Sequence, residues 1–334
     1  MDKKVDILIP ENIRGKAIDD LNKYFNIQYD INLWKDPKIL AESIKSAKAI
    51  IVRNQTKVNE MILSNADELK VIGRAGVGYD NIDVDFASKK GIVVCYTPDG
   101  NTISTAELAI GLILSLLRKI PSADKSTKQG NWNRFNHLGI ELYGKTLGLV
   151  GYGKIGKAVA YRAKAFGIRI LAYDINFSQD DISISDNNVI MVQLNELLSQ
   201  SDIVSIHLPL SRDTKSFFNE ELFSVMKQGS ILINTSRGEI ISEHDLISAI
   251  KSGHIKGAAL DVRTTEPPVK MELENFDNVV LTPHLGGLTE ESQERVINSL
   301  ARDVKLVLDG KSAVNYVNFP SQKLNRKSDS ASAI

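Results

Sequence analysis

Three charged side chains in the second half of the chain, Arg237, Glu266 and His284, have the types that acid–base chemistry on a carboxylate substrate needs. The unperturbed pKa of histidine lies nearest neutrality, and a neighbouring carboxylate stabilises its protonated form. A guanidinium can hold a substrate carboxylate through two parallel hydrogen bonds. Together the three types predict proton transfer to or from an oxygen of a carboxylate-bearing substrate.

Each of these side chains follows an apolar segment typical of a buried strand, at 230–234, 257–260 or 279–281. Ligands of an open α/β sheet bind at the carboxyl ends of its strands, so we expect the three side chains to lie close together. Two prolines directly after the glutamate would stiffen its loop. Taken singly, a surface arginine and a structural histidine remain alternatives.

A glycine-rich turn near the middle of the chain, Gly151-x-Gly153-x-x-Gly156, is typical of a dinucleotide-binding site. It follows a predicted strand at 147–150 and opens a predicted helix at 154–166, which is the context that this motif requires. The first glycine allows a tight turn, the second lets a pyrophosphate approach the backbone, and the third allows close helix–strand packing. Free amide groups at the start of the helix would bind the anion.

Asp174 ends the next predicted strand, at 168–173. Its carboxylate would accept hydrogen bonds from the hydroxyls of an adenosine ribose and would repel a 2′-phosphate. The residues that follow, Ile175 and Asn176, are not basic, so the pattern favours NAD over NADP. A tight glycine turn that binds no nucleotide is the alternative.

The rest of the chain alternates short apolar segments with helical patterns, which is typical of parallel α/β sheets. Further strands are predicted at 5–9, 27–29, 49–52, 69–72, 92–94, 189–192 and 203–206, and further helices at 194–199 and 242–252. Apolar residues at helical spacing also predict a connecting helix at 102–119 and a final helix at 289–308 that returns to the first domain. The predicted fold class is therefore α/β, with two doubly wound parallel-sheet (Rossmann-like) domains, the first discontinuous in sequence.

Composition and charge narrow the classes of function. Lys plus Arg and Asp plus Glu both number 41, so no net charge draws the chain to nucleic acid or to an anionic membrane. The single cysteine, Cys95, excludes an intrachain disulfide, and no pair of histidines has metal-ligand spacing, so no metal ion is expected. We expect neither a signal sequence nor a membrane span, and hence a cytoplasmic location. The serine-rich segment 321–334 predicts a disordered tail, with a targeting or interaction peptide as the alternative.

A second glycine-rich turn, at 73–81, lacks the third glycine and the helix that a dinucleotide motif needs. Its amide groups at Val77 and Gly78 would form a small anion-binding nest. Arg53 and Arg74 would lie near the same place and would favour an anionic group on the substrate. Separate surface charges at loop ends are the alternative for both arginines.

These motifs together resemble those of the D-isomer-specific 2-hydroxyacid dehydrogenases, from about residue 5 to residue 317. Besides the glycine turn with Asp174, the resemblance is carried by Asn234-Thr-Ser-Arg237-Gly238, Asp261-x-x-x-x-Glu266-Pro-Pro and Pro283-His284-Leu-Gly-Gly287. Within the family, Val52-Arg53-Asn-Gln-Thr56 and Gly73-Arg74-Ala-Gly-Val-Gly most closely resemble the D-3-phosphoglycerate dehydrogenase branch.

The resemblance implies a role for each candidate residue. His284 would be the acid–base residue, Glu266 would hydrogen-bond to it and favour its protonated form, and Arg237 would bind the carboxylate and polarise the carbonyl. The residues that we predict to bind NAD are Gly151, Gly153, Lys154, Ile155, Gly156, Asp174, His207, Pro209, Thr235, Ser236, Asp261 and Gly287. Among these, by the same resemblance, Asp261 would bind the carboxamide, and Thr235 and Gly287 would line the nicotinamide ring. The residues that we predict to bind substrate are Arg53, Arg74, Val77, Gly78, Arg237 and His284.

The resemblance also implies an organisation and an activity. A substrate-binding domain at 1–100 and 289–320 would flank an NAD-binding domain at 101–288, with catalysis in the cleft between them and a homodimer formed through 102–145. The expected activity is the oxidation of D-3-phosphoglycerate to 3-phosphohydroxypyruvate, the first step of serine synthesis. A reductase of glyoxylate, hydroxypyruvate or another 2-keto acid is an alternative of the same class, and an NAD-sensing binding protein is an alternative of a different class.

The chain departs from the family pattern in two places. Arg263 stands where the family usually has an aromatic residue, so the resemblance carries over least to the loop before Glu266. Many phosphoglycerate dehydrogenases continue into a regulatory amino-acid-binding domain, whereas this sequence ends soon after Pro320. We therefore expect no feedback control by serine through such a domain.

Overall fold

The computed structural model describes residues 4–176, 188–269 and 272–319. Within them the strands are β1 Ile7–Ile9, β2 Ile27–Tyr29, β3 Ala49–Val52, β4 Val71–Arg74, β5 Val93–Cys95, β6 Thr146–Val150, β7 Arg169–Tyr173, β8 Val189–Met191, β9 Ile203–Ile206, β10 Ser230–Asn234, β11 Ile255–Leu260 and β12 Val279–Leu281. The α-helices are α1 Lys16–Leu21, α2 Pro37–Ser43, α3 Glu60–Leu63, α4 Val84–Lys89, α5 Thr102–Leu117, α6 Ile120–Lys128, α7 Lys154–Ala163, α8 Leu194–Gln200, α9 Glu220–Val225, α10 Glu243–Lys251 and α11 Glu290–Leu308.

The chain divides into two compact units. The first unit comprises Met1–Asn101 with Glu290–Ile334, and the second unit comprises Thr102–Thr289. Each unit contains one sheet, and the last helix, α11, belongs to the first unit although it follows the whole of the second in sequence.

The sheet of the first unit has five parallel strands in the order β2-β1-β3-β4-β5. Alternate residues of β1 belong to different apolar cores, with Leu8 on one face and Ile7 and Ile9 on the other. Both faces of a parallel sheet are covered by helices, which explains why β1 and β3 are apolar along their whole length. Helix α11 packs on β4 and on α1 and so completes one of these cores.

The sheet of the second unit has seven parallel strands in the order β12-β11-β10-β9-β6-β7-β8. Strand β6 is buried throughout, with Leu147 and Leu149 in one core and Val150 in the other. Helices α5 and α7 pack against each other on the first of these faces. The order places β10, β11 and β12 side by side, so the loops that follow them leave the same edge of the sheet.

The predicted fold class is confirmed, with two parallel sheets in an α/β arrangement. The strand predicted at 69–72 lies two residues later, at Val71–Arg74, because β4 pairs with all of β3 and its last residue faces Val52. The helix predicted at 154–166 ends at Ala163 and continues as the 3₁₀ turn Lys164–Phe166. The helix predicted as a connection, α5, packs within the second unit on α7 and β11. The predicted tail at 321–334 lies outside the described residues.

Among the residues that the structure describes, no helix is both long enough and apolar enough to cross a membrane. The cytoplasmic location stays a prediction.

Candidate active site

The loops after β10, β11 and β12 carry Arg237, Glu266 and His284, respectively. The structure brings the last two into direct contact, since Nδ1 of His284 lies 2.7 Å from Oε2 of Glu266. A carboxylate only accepts hydrogen bonds, so Nδ1 carries the proton and Nε2 has a free lone pair. Nε2 meets no hydrogen-bond partner among the described residues. The pair is therefore arranged to take a proton at Nε2.

The second oxygen of Glu266 is also occupied. Its Oε1 accepts a hydrogen bond from the backbone N–H of Arg263 at 3.2 Å. Burial would raise the pKa of the Glu266 carboxyl, but the hydrogen bond and the charge of His284, with a smaller contribution from that N–H, lower it below its usual range. Glu266 is therefore a carboxylate at neutral pH.

The backbone of His284 adopts a left-handed conformation, with φ of 56°. This conformation is uncommon for residues other than glycine and persists only where neighbouring contacts hold it. The N–H of His284 donates to the carbonyl oxygen of Asp261 at 2.8 Å. The side chain of Asp261 then accepts from the N–H of Leu285 at 2.7 Å and from that of Gly286 at 2.8 Å.

Asp261 is 1 % exposed, and its carboxylate also accepts a 2.6 Å hydrogen bond from the hydroxyl of Thr282. Burial raises the pKa of the Asp261 carboxyl, although these hydrogen bonds oppose the rise. Its predicted contact with a nicotinamide carboxamide stays a prediction. The structure adds a second role, because one buried side chain holds the loop on both sides of His284.

Arg237 lies in a turn that is fixed by the last residue of β10. The Asn234 side chain accepts from the N–H of Ser236 at 2.9 Å and donates to the carbonyl oxygen of Arg237 at 2.8 Å. The half-buried guanidinium of Arg237 donates to the carbonyl oxygen of Ser236 at 2.8 Å. At the next residue, a Cβ on Gly238 would lie 2.2 Å from the carbonyl oxygen of Arg263. The turn that carries Arg237 therefore packs directly on the loop that carries Glu266.

The glycines of the turn after β6 allow neighbouring backbone atoms to approach closely. Gly151 has φ of 98°, and a Cβ there would lie 2.6 Å from the carbonyl oxygen of His207. A Cβ on Gly156 would lie 2.3 Å from the carbonyl oxygen of Gly151, whereas one on Gly153 would meet no atom within 4 Å. Helix α7 begins at the next residue, so its first amide groups, at Lys154 and Ile155, have no acceptor within the helix. The turn thus has open space for an anion beside the first amide groups of the helix.

Asp174 lies beside this turn at the end of β7. Its Oδ2 accepts from the N–H of Tyr152 at 2.9 Å, and its Oδ1 accepts from the N–H and the side-chain amide of Asn176 at 3.0 and 2.9 Å. The partly exposed carboxylate retains lone pairs, and its contact with ribose hydroxyls stays a prediction.

Two of the remaining predicted cofactor residues have buried polar atoms without a partner among the described residues: Oγ1 of Thr235 and Nδ1 of His207. Nε2 of His207 bonds the hydroxyl of Ser205 at 2.9 Å, and burial lowers the pKa of this imidazole to about 4. Ser236 uses its hydroxyl to bond the carbonyl oxygen of Ile206 at 2.7 Å. Pro209 is exposed, and Gly287 is partly exposed.

The residues of the second unit therefore fit a dinucleotide. The glycine cradle admits a phosphate, and Asp174 suits a ribose without a 2′-phosphate. The buried hydroxyl of Thr235 has no hydrogen-bond partner within the described part of the chain. A buried polar group left without a hydrogen bond costs about 1–3 kcal/mol, so a ligand that supplies the partner is favoured.

In the first unit, Arg53 follows β3 in a loop held by Glu11, a residue that the motif analysis did not single out. The carboxylate of Glu11, 2 % exposed, accepts from the N–H groups of Arg53 and Thr56, both at 2.9 Å, and of Gln55 at 3.1 Å. The guanidinium of Arg53 donates to the side-chain oxygen of Gln293. Burial lowers the pKa of Arg53, while the charge of Glu11 opposes this.

Arg74 is the last residue of β4 and is 7 % exposed, so it does not fit the alternative of a surface charge at a loop end. Its Nη1 donates to the carbonyl oxygen of Ala75 at 2.8 Å, and a Cβ on Gly76 would lie 1.7 Å from that nitrogen. The N–H groups of Val77 and Gly78 meet no acceptor among the described residues, and both residues are partly exposed.

The structural roles of Glu11, of Asp261 as a loop anchor, and of the side chain of Arg263 were missed by sequence reasoning. Glu11 bonds amides 42–45 positions away, and Arg263 bonds the Glu243 carboxylate 20 positions away. No motif marks such contacts, because a backbone N–H has the same chemistry at every residue. The departure from the family pattern at Arg263 was the one available signal.

The chain belongs to the D-isomer specific 2-hydroxyacid dehydrogenase family. The family model for the NAD binding domain matches residues 110–286, more than half of the chain. D-3-phosphoglycerate dehydrogenase from Methanocaldococcus jannaschii is 43% identical over 95% of this chain and 60% of that protein. Glyoxylate reductase from Thermococcus litoralis is 38% identical over 94% of this chain and 97% of that protein.

Solved structures agree with this assignment. D-lactate dehydrogenase from Aquifex aeolicus, crystallised with NAD and lactic acid, superposes with a TM-score of 0.84 at 31% identity, covering 94% of this chain and all of that one. The chain spans about 60% of the length of the Methanocaldococcus phosphoglycerate dehydrogenase. Its second unit contains the NAD binding domain of the family.

Proposed function

We propose that the chain oxidises D-3-phosphoglycerate to 3-phosphohydroxypyruvate with NAD, the first step of serine biosynthesis. The observation that carries the proposal is the 2.7 Å contact between Nδ1 of His284 and Oε2 of Glu266, which leaves Nε2 available for a proton. Residues 101–288 would bind NAD, and residues 1–100 with 289–320 would bind the substrate.

Three side chains have separate roles in the proposed reaction. Arg237 binds the substrate carboxylate through its guanidinium. Nε2 of His284 takes the proton of the 2-hydroxyl, and the carboxylate of Glu266 stabilises the imidazolium that forms. The glycine turn and Asp174 would hold NAD, which would supply the acceptor for the hydride of the carbon that carries this hydroxyl. In the reverse direction the imidazolium returns its proton to the keto oxygen.

The proposed phosphate-binding groups are Arg53, Arg74 and the N–H groups of Val77 and Gly78. Arg53 forms no ion pair among the described residues and is hydrogen-bonded to the neutral Gln293 instead. Burial without a carboxylate partner makes the charged form costly, which its lowered pKa reflects. An anionic group on the substrate would compensate this cost, and the two N–H groups without acceptors would add donors.

A reductase of glyoxylate or hydroxypyruvate is the second candidate, because the chain covers nearly the full length of a glyoxylate reductase. Carboxylate capture by Arg237 needs no phosphate, so the acid–base pair is equally suited to both reactions. An NAD-sensing binding protein would bind NAD and turn over neither class of substrate.

The decisive experiment measures NAD reduction with a panel of 2-hydroxy acids, with and without a phosphate, for the wild type, Arg74→Ala and the exposed control Lys45→Ala. We expect a preference for D-3-phosphoglycerate and a rise in its KM of about tenfold or more in Arg74→Ala, because a charge-assisted hydrogen bond is lost. Lys45→Ala should match the wild type. An unchanged KM in Arg74→Ala would refute phosphate binding by this residue. Turnover of unphosphorylated acids alone would favour the reductase, and NAD binding without turnover would favour a sensor.

A homodimer formed through 102–145 is also proposed. Large apolar side chains in this segment are strongly exposed: Ile120, Trp132, Phe135, Leu138 and Tyr143. Exposed apolar surface of this kind marks interaction sites. Light scattering should give the mass of a dimer for the wild type and of a monomer for Phe135→Asp. A monomeric wild type at micromolar concentration would contradict the proposal.

A further inference from the structure

Arg263 is buried between two carboxylates. Its side chain, 8 % exposed, contacts Glu243 through Nε at 3.1 Å and Nη2 at 3.0 Å, and contacts Glu274 through Nη1 at 2.7 Å. Glu243 is the first residue of α10, and its side chain is 9 % exposed. Burial would raise the pKa of Glu243, but hydrogen bonds from Arg263 and Thr264 hold it below its usual range.

The same carboxylate holds the next residue of the loop. Oε1 of Glu243 accepts from the N–H of Thr264 at 3.0 Å and from its hydroxyl at 3.1 Å. The backbone N–H of Arg263 in turn donates to Oε1 of Glu266 at 3.2 Å. The loop between β11 and Glu266 is therefore tied to α10 on one side and to the acid–base pair on the other.

The backbone of Arg263 also meets the turn of Arg237. Its carbonyl oxygen would lie 2.2 Å from a Cβ on Gly238, so the two loops touch without an intervening side chain. One residue thus contacts, through its backbone, both the turn of the carboxylate-binding arginine and the glutamate that holds His284.

The chemistry of arginine suits this position. The guanidinium of Arg263 bonds one carboxylate through two nitrogens and a second carboxylate through the third, which fixes its orientation. The ammonium of a lysine would fix only its distance from the carboxylates. Removing it would leave two carboxylates, one of them buried, without their cation, which strongly disfavours the arrangement. Where family members usually carry an aromatic residue, this chain uses an ion cluster to set the loop.

We propose that Arg263 is a positioning residue for the reaction, because its clamp between Glu243 and Glu274 fixes the loop that places Glu266 on His284 and supports the turn of Arg237. The proposal rests on the proposed function for its kinetic consequence. Its structural consequence, the integrity of the contact between Glu266 and His284, is independent of substrate.

The kinetic test compares Arg263→Ala, Arg263→Lys and a control, Ile250→Val, which trims a buried apolar side chain on the same helix as Glu243. In Arg263→Ala we expect kcat per folded molecule to fall by about a hundredfold, with little change in the Kd for NAD, because small misplacements of reacting groups have large effects. Arg263→Lys should recover part of the loss. Ile250→Val should lower the Tm slightly and leave kcat unchanged.

A spectroscopic test does not depend on turnover. A proton held between a histidine and a carboxylate gives a downfield proton NMR signal, which His284→Ala would assign in the wild type. The signal should be lost or broadened in Arg263→Ala and retained in Ile250→Val. If Arg263→Ala fails to fold, Glu243→Gln, which keeps the size of the side chain, takes its place, with the same expected loss.

The outcomes separate the two proposals. If the wild type oxidises no 2-hydroxy acid, the proposed function fails, while the NMR signal still decides the role of Arg263. If Arg263→Ala is less stable but keeps the wild-type signal and the wild-type kcat per folded molecule, Arg263 only stabilises the fold, and the inference is overturned.

Discussion

The two units hold their candidate functional loops by the same means. In the second unit the buried carboxylate of Asp261 accepts hydrogen bonds from Thr282, Leu285 and Gly286, and so fixes the loop of His284. In the first unit the buried carboxylate of Glu11 accepts three backbone N–H groups and fixes the loop of Arg53. A buried carboxylate is costly without such donors, so each loop and its anchor stabilise each other.

The two loops differ in the hydrogen-bond partners of their candidate functional side chains. His284 already has its charged partner, Glu266, at 2.7 Å, whereas the guanidinium of Arg53 bonds the neutral side chain of Gln293. One loop completes a hydrogen bond between an imidazole and a carboxylate, and the other keeps a cation that has no carboxylate partner among the described residues. The difference is the basis for the proposed division, with proton transfer in the second unit and recognition of an anion in the first.

The largest effect that would test this division is expected at the imidazole. His284→Ala should lower kcat by about a thousandfold, because general acid–base catalysis contributes about 10²–10⁴-fold, and should leave the Kd for NAD nearly unchanged. His244→Ala, at a strongly exposed histidine on α10, is the matched control. Steady-state kinetics and NAD titration measure both quantities. Equal losses in turnover and in NAD affinity would remove His284 from proton transfer.

The next effect concerns the unbalanced cation. Arg53→Ala should raise the KM for D-3-phosphoglycerate by about 10- to 100-fold, which corresponds to about 1.5–3 kcal/mol for a hydrogen bond to a charged group. The kcat should change little, and the KM for unphosphorylated hydroxy acids should stay near that of the wild type. A fall in kcat with an unchanged KM would show that the first unit contributes to the chemical step.

The two anchors offer a matched pair. Asp261→Asn and Glu11→Gln each place an amide N–H₂ against backbone donors, so each should lower the free energy of unfolding by about 1–3 kcal/mol. Their kinetic effects should diverge, with Asp261→Asn lowering kcat and Glu11→Gln raising the KM for a phosphorylated substrate. Urea unfolding and kinetics on the same samples make the comparison. Identical kinetic effects would mean that the two loops share one role.

The smallest expected effect is the pH dependence of stability that the contact between Glu266 and His284 produces. The folded-state pKa of Glu266 lies below its usual value, so its contribution to stability is present above that usual value and is lost as the pH falls through the folded-state pKa. Urea midpoints measured from about pH 3.5 to about pH 7 should therefore decline more steeply towards acid for the wild type than for Glu266→Gln. Parallel declines would show that the pair adds no stability.

The sequence predicted the elements that are buried along their whole length. Strands Ala49–Val52 and Ser230–Asn234 were predicted with the bounds that the structure has, because an apolar segment ending at a small or polar turn marks both ends. Helix α6, Ile120–Lys128, was not predicted, since it buries no residue and so shows no apolar stripe. Helix α9, Glu220–Val225, is too short for its periodicity to register.

The sequence could predict those features of the candidate site that depend on where the strands end. Arg237, Glu266 and His284 follow adjacent strands, and the contact of the last two follows from that order. The partners of Arg53 and Arg263 could not be predicted, because they depend on how loops far apart in sequence fold onto each other. The sheet order restricts the neighbourhood of a side chain, whereas loop conformation decides its hydrogen bonds.

The closeness of Gly238 to Arg263 limits how this protein can be re-engineered. Since no side chain fits at Gly238, its substitution would displace the backbone at Arg263. Attempts to alter substrate choice by grafting the turn of Arg237 from a relative should therefore transfer the loop of Glu266 together with the residues that clamp it. The two loops form a single cassette, and libraries that vary one of them alone would sample mostly inactive proteins.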